Sequence, residues 1–410
     1  MTIALALIAF IAVGYQLASL AASLRHAFRR PAAGKATPPV SILKPVHGLD
    51  HGFDAAIESH AAQDYPEFEI LFGVHTLDDP AIPAINALIA RHPERRIALI
   101  HCPPDPADPA PNAKVGTLSQ LIRHARYDTL LINDSDILVP NGYLRRVVAP
   151  LEDQGIGLVT CVYRAVASSL AGKWEALGIA ADFIPSTLVA PMVGIKEFGL
   201  GSTLVFRRSS LQQIGGFDAV RDYIADDYQL ARRITATGKR SHISEVVVET
   251  HLGSPSFGAV WRHQVRWART IRVSRGDGYI GLPVTHAGVW ALVCLLVAAV
   301  TTATAPALTT VSSPLGTLSV GDAGAAAALA TANLAVLCAI LILLSRIASA
   351  LAAAIALQDS RTLASAWLAP LWDLFAFVVW IAGWSGSAIY WRGARMTLTR
   401  DGRLMAAARS

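Results

Sequence analysis

The sequence predicts an α/β fold, a mainly parallel sheet layered with helices, carried between apolar helices before and after it. Three observations predict it. Short apolar runs alternate with helical patterns through the middle of the chain, as in strand–helix–strand units. Apolar residues make up 53% of the 410 and charged residues only 16%, which is too greasy for an ordinary soluble protein. Aspartate pairs stand directly after several apolar runs, where open α/β sheets place their ligands.

Residues 2–24 are apolar and uncharged. At about 1.5 Å per residue they are long enough to cross a bilayer. No basic stretch precedes them, while Arg25, Arg29 and Arg30 follow. That order predicts an uncleaved anchor with its N-terminus outside, not a cleaved signal. A linker over 25–38 carries Pro31 and Pro38, and a globular composition then runs over 39–278. Within it "VSILKPV" (40–46), "FEILFGV" (68–74), "IALIH" (97–101), "TLLIND" (129–134) and "GLVTCVY" (157–163) read as buried strands. Helical patterns over 53–62, 82–90 and 114–124 separate most of them.

The region 279–390 is apolar again. Residues 287–307 and 325–344 read as spans, and 364–390 as a third containing Asp373. Residues 347–357 are too short to cross alone, and either extend the preceding helix or lie in the interface. A basic cytoplasmic tail is expected over 391–410. One anchor and three spans would leave that tail outside, against the positive-inside rule. Either one segment is re-entrant, or 325–357 crosses twice. The cysteines Cys102, Cys161, Cys294 and Cys338 are scattered, so neither a disulfide framework nor a zinc site is supported, and the globular part reads as cytosolic. The net charge of +5 is modest and its basic residues sit beside apolar runs, which gives no support to a nucleic-acid partner.

Four motifs can carry chemistry. In "NDSDI", Asp134 and Asp136 close a buried strand. Side chains at i and i+2 of a strand point the same way, so the two could share a hard cation such as Mg²⁺ or Mn²⁺. Taken alone, Asp-Ser-Asp fits a polar strand-end turn better. Asp78 and Asp79 in "LDDPAI" follow the second strand, and fit a ligand contact and an N-cap equally. Asp226 and Asp227 open a helix in "IADDYQLARRI", where a carboxylate could act as general base or simply cap. "HQVRWARTIR" sets Arg266, Trp267, Arg269 and Arg272 together, as a phosphate clamp or an interfacial helix.

The order of these motifs, with "SILKPVHGLD", "QDYPEFEILFGV", "PNAKVGTL", "IGGF" and "VRWARTIR", resembles the lipid-directed glycosyltransferases of the GT-A fold. More narrowly it is similar to the ceramide glucosyltransferase family and its bacterial hopanoid-biosynthesis relatives. The resemblance implies that Asp79, with Asp78 beside it, meets the uridine of a UDP-sugar. It implies that Asp134 and Asp136 hold Mg²⁺ or Mn²⁺ on the diphosphate, that Asp227 is the catalytic base, and that Asp226 stands where Glu is frequent. Arg266 and Trp267 match the family's Gln/Arg-x-x-Arg-Trp motif, while His263 departs from its first position. Lys44 and Lys114 are further nucleotide contacts. The implied reaction is inverting transfer of N-acetylglucosamine or glucose to a hydroxyl of a membrane lipid. The acceptor expected first is a hopanoid, with ceramide as the alternative, and the place is a bacterial inner membrane with the catalytic domain cytoplasmic. Residues 174–195, apolar yet within the domain, are expected either to lie on the membrane beside the acceptor or to be core helix. A polysaccharide synthase would need more spans. A transporter would need more intramembrane charge than Asp373.

Overall fold

The computed structural model describes residues 2–31, 34, 36–304, 320–391 and 394–406. Its centre is a seven-stranded sheet of order β3-β2-β1-β4-β6-β5-β7. The strands are β1 Val40–Pro45, β2 Phe68–Val74, β3 Arg96–His101, β4 Thr129–Ile132, β5 Ile156–Ala167, β6 Leu204–Arg207 and β7 Arg240–Gly253. β1, β2, β3 and β4 pair in parallel, as do β5 and β7, while β6 runs antiparallel to β4 and β5. The five expected strands are present, though β4 stops two residues before Asp134 and β5 runs four residues past Tyr163.

Alternation along the strands builds two cores. Val40, Ile42, Ile70 and Phe72 pack on one face, and Leu43, Leu71, Leu130 and Ile132 on the other. With both faces covered, the strands read as unbroken apolar runs. The chain leaves β1 toward β2 on one side and returns to β4 on the other. The gap beyond the ends of β1 and β4 is therefore the topological switch point, where open sheets bind ligands.

Five helical stretches are long and apolar enough to cross a membrane: Thr2–Ala27, Leu170–Val193, Ala287–Thr304, Gly324–Ala356 and Ser360–Trp384. The first, third and fourth pack side by side through small residues, among them Ala9, Ala12, Ala291, Ala335 and Ala339, which let helix backbones approach closely. Ala22 and Leu357, near the ends of two of these helices, pack with Val162 and Ala165 of β5. Residues 347–357 extend the preceding helix, since Val320–Ala356 is one element, so 325–357 does not cross twice. Positions 305–307 of the expected span lie outside the described residues.

The stretch read as a third span is broken into Ser360–Ser365, a short turn, and Ala369–Trp384. The last helix lies along the Arg-Trp helix Phe257–Ser274: Phe375 meets Trp261, and Arg272 donates 2.7 Å to the Trp384 carbonyl. Its middle and its C-terminal end therefore meet the α/β domain. The expected tail is folded as well. β8 Ala388–Trp391, β9 Ala394–Leu398 and β10 Leu404–Ala406 form an antiparallel sheet. Its Ile389, Leu398 and Leu404 pack on Ile224, just before the Asp226–Asp227 pair. Positions 407–410 lie outside the described residues.

Leu170–Val193, which covers most of 174–195, packs both on the domain and on the other apolar helices. It carries a π-turn, Ile179–Phe183, followed by Pro185. Proline has no N–H to bond the carbonyl four residues back, which is that of Ala181. Arg346 fills the gap, donating from Nη1 to the Ala181 carbonyl at 2.8 Å. Arg346 also grips Asp373 through Nε (2.9 Å) and Nη2 (2.7 Å), and Asp373 accepts from the Gly288 N–H at 2.8 Å. The one intramembrane carboxylate foreseen thus has a buried partner, and neither side chain is more than 2% exposed.

Candidate active site

Asp134 and Asp136 lie past the end of β4 in a turn, so strand alternation does not align them. The turn is fastened by Ser135, which donates 2.5 Å to Asp50, and by Thr250 of β7, which donates to Asp136. Asp134 faces the other way, toward Lys114, at 2.6 Å. The two carboxylates still feel each other's charge. Burial first, and then Asp134, push the Asp136 carboxyl up to about 6.

Lys114 stands in the first turn of the helix Ala113–Leu121, whose N-cap Asn112 accepts from the Val115 N–H. Its ammonium also lies 3.4 Å from Asp226. Burial opposes that charge, but Asp134 and Asp226 override it and hold the Lys114 pKa well above the ordinary lysine value. Asn112 ties the same helix to the loop before Asp226, donating 2.8 Å to the Tyr223 carbonyl and 3.4 Å to Asp226. Sequence reasoning missed Asn112, although it stands beside Lys114 in the quoted "PNAKVGTL".

Asp227 opens the helix Asp226–Ala236. One carboxylate oxygen accepts from the Gly201 N–H at 2.8 Å, and the other from the Tyr228 N–H at 2.7 Å. Gly201 is where the site converges. A β-carbon there would sit 2.9 Å from Asp134 Oδ2, 3.5 Å from Lys114 Nζ and 3.6 Å from Asp227 Oδ2, so only glycine leaves this space open. Burial first, and then the Asp226 charge, raise the Asp227 carboxyl to about 6. Lys44, fully buried on β1, donates 3.1 Å to the Asp134 carbonyl, and burial lowers its pKa to about 7.

The other expected residues are placed around this centre. Asp79 is buried and ties two loops, accepting from the Gly48 N–H and the Ala81 N–H at 2.9 Å each, while Asp78 is exposed. Arg266 has no hydrogen bond or carboxylate partner among the described residues; burial lowers its pKa, against the opposing pull of Glu175. His263 donates 2.6 Å to Glu175, and its ring lies 4.9 Å from Trp267. Trp267 meets Phe183 at 5.2 Å, and Phe183 meets Tyr163 at 6.1 Å. Tyr163 lies within the fields of Asp227 and Asp134. An aromatic row thus leads from the carboxylates to the apolar stretch Leu170–Val193.

Of the two expected metal ligands, Asp134 keeps an oxygen toward the open space at Gly201, while Asp136 is bonded by Thr250; among the described residues no three His, Cys, Asp or Glu side chains gather as a metal site. A carboxylate oxygen at that open space is a donor suited to a hard divalent cation.

The family model described as "Glycosyl transferase family 21" matches residues 1–313 and 304–404. The chain belongs to glycosyl transferase family 21. Among curated relatives, Ceramide glucosyltransferase 1 of Caenorhabditis elegans is 28% identical over 209 residues, 50% of this chain and 44% of that protein. Ceramide glucosyltransferase of Komagataella phaffii is 34% identical over 113 residues, 27% of this chain and 22% of that one. The chain thus spans less than half the length of these relatives. Their names point to ceramide, not to the hopanoid expected first. A mannosyltransferase from Pyrobaculum calidifontis, solved with GDP-Man and Mn²⁺, matches at TM-score 0.50 and 20% identity over 93% of this chain and 97% of that one. That match shows the GT-A fold of this family 21 chain.

Proposed function

We propose that this chain is an inverting glycosyltransferase that moves a sugar from UDP to a hydroxyl of a membrane lipid. The observation that carries the reading is the convergence of Asp134, Lys114 and Asp227 on the open space at Gly201, at one end of an aromatic row that leads to apolar helices. Asp227 takes the proton of the acceptor hydroxyl. That oxygen attacks the anomeric carbon, and the bond to UDP breaks with its electron pair leaving on the β-phosphate. Arg266, unpaired among the described residues, and Lys114 supply positive charge for the leaving diphosphate. With one base and no nucleophile on the opposite face, the configuration inverts. Asp134 and Asp136 would hold Mg²⁺ or Mn²⁺, which adds Lewis-acid stabilisation of the diphosphate. Asp79 contacts the nucleoside side of the donor. Three helices anchor the catalytic domain at the cytoplasmic face, with the last apolar stretch re-entrant.

The named relatives favour a ceramide acceptor and glucose as the sugar. Membranes carrying the protein, given labelled UDP-glucose or UDP-N-acetylglucosamine, should yield a labelled ceramide-type lipid. A labelled hopanoid would restore the other acceptor, and no labelled lipid would end the lipid reading. Chelator should abolish transfer, and added Mg²⁺ or Mn²⁺ should restore it; transfer indifferent to chelator would remove the metal role.

A further inference from the structure

Glu175 was not among the residues the sequence singled out, yet it joins the apolar stretch to the Arg-Trp helix. It lies in the helix Leu170–Gly178, at the start of the apolar stretch, and is only 2% exposed. A buried carboxylate needs partners. Glu175 finds them on the Arg-Trp helix: His263 donates 2.6 Å and Gln264 donates 2.8 Å. Both bonds go to the same oxygen, Oε1. Oε2 accepts nothing among the described residues and is not sealed from solvent. The charge of Glu175 also reaches Arg266, and Tyr163 on the way to Asp227.

Among the described residues Oε2 is thus left without a hydrogen-bond partner at the junction between the apolar stretch and the Arg-Trp helix. We propose that Glu175 recognises the acceptor: its Oε2 takes a hydrogen bond from a second donor group on the lipid, next to the hydroxyl that is glycosylated. The proposal rests on the lipid-acceptor reading above. An ionised carboxylate only accepts. It therefore favours a lipid with an N–H or O–H beside the reacting hydroxyl over one in which that group is methylated. Burial sharpens the choice, because a methylated lipid leaves Oε2 desolvated without a partner.

The test compares four probes in detergent: N-hexanoylsphingosine and its N-methyl, 3-O-methyl counterpart, and bacteriohopanetetrol and a form methylated at all but the terminal hydroxyl. Wild-type enzyme should prefer the unmethylated member of whichever pair it glycosylates by at least about tenfold in kcat/KM. In Glu175→Gln the Oε2 position becomes an amide N–H₂, which cannot accept. The KM for the unmethylated lipid should rise and the preference should collapse, with UDP binding by calorimetry and the donor KM unchanged. Glu175→Asp keeps the charge but withdraws the oxygen, and should show the same split if the Gln variant does not fold. A preference that survives in the variants overturns the proposal. So does UDP binding that falls in step with activity, since that marks a structural role. If wild-type enzyme glycosylates neither unmethylated lipid, the lipid reading fails first and this assignment falls with it.

Discussion

The helical bundle buries Arg346 against Asp373, and the sheet edge buries Asp226 beside Lys114 with Asp134, Asp136 and Asp227 around them. The first arrangement is closed. One cation meets one carboxylate through two nitrogens, and the remaining lone pairs and protons go to the Gly288 N–H and the Ala181 carbonyl. The second is open. Its carboxylates outnumber its ammonium groups, Lys44 is pushed down to about 7, and two carboxyls are pushed up to about 6. Carboxylates that outnumber their counter-ions beside the open space at Gly201 cost stability. They prepare the edge for cationic or proton-donating ligands. Balanced burial marks architecture, and unbalanced burial marks chemistry.

That contrast can be broken by substitution. The largest effect is expected at the open end. Asp227→Asn should cost about 10²–10⁴-fold in kcat, because the amide cannot take the acceptor's proton. Donor affinity should persist, and a variant that turns over at the wild-type rate would move the base elsewhere. At the closed end, Asp373→Leu leaves the Arg346 charge buried without a counter-ion and should cost about 3–5 kcal/mol, read as a lowered Tm in detergent. Adding Arg346→Met should recover most of that loss, because a matched apolar pair replaces a buried ion pair well. The parallel exchange of Lys114→Met with Asp134→Leu should recover no activity. If the rescue worked at the sheet edge and failed in the bundle, the contrast would be reversed.

A smaller effect concerns protons. Below about pH 6 the Asp227 carboxyl holds its own proton, so kcat/KM should fall on the acid side with a midpoint near there. Asp226→Asn removes the neighbouring charge that helps burial raise this value, so the midpoint should move to lower pH; a midpoint that rises would show that Asp226 acts otherwise. The smallest effect is expected at the C-terminal sheet. Leu404→Asp should loosen its contact with Ile224 and raise the donor KM severalfold with kcat nearly kept.

The strands β1 to β5 were legible because sheets buried on both faces write themselves as apolar runs. β7 was not, because only one of its faces is buried, and its pairing with β5 carries three register shifts. The carboxylates of the site were legible as strand ends and helix starts. The reason given for Asp134 and Asp136 was not correct: the turn, fastened by Asp50 and Thr250, aims them, and strand alternation does not. Glu175 and Asn112 were invisible for a different reason. Each is a lone polar residue whose meaning lies in what a distant segment brings to it, and no local pattern encodes that meeting. The folded tail escaped notice because its arginines read as charge, whereas Leu398 and Leu404 between them carry the packing.

The sheet β8–β10 has a consequence for how the loop before Asp226 is held. It pairs Arg403 with Tyr223, and the Leu404 N–H bonds the Asp222 carbonyl at 2.6 Å, on the loop that presents Asp226 and Asp227. Those strands follow the five apolar helical stretches found among the described residues. The loop that carries Asp226 and Asp227 is therefore held by strands that lie beyond those helices in the chain, so a change in the tail reaches it without touching the seven-stranded sheet.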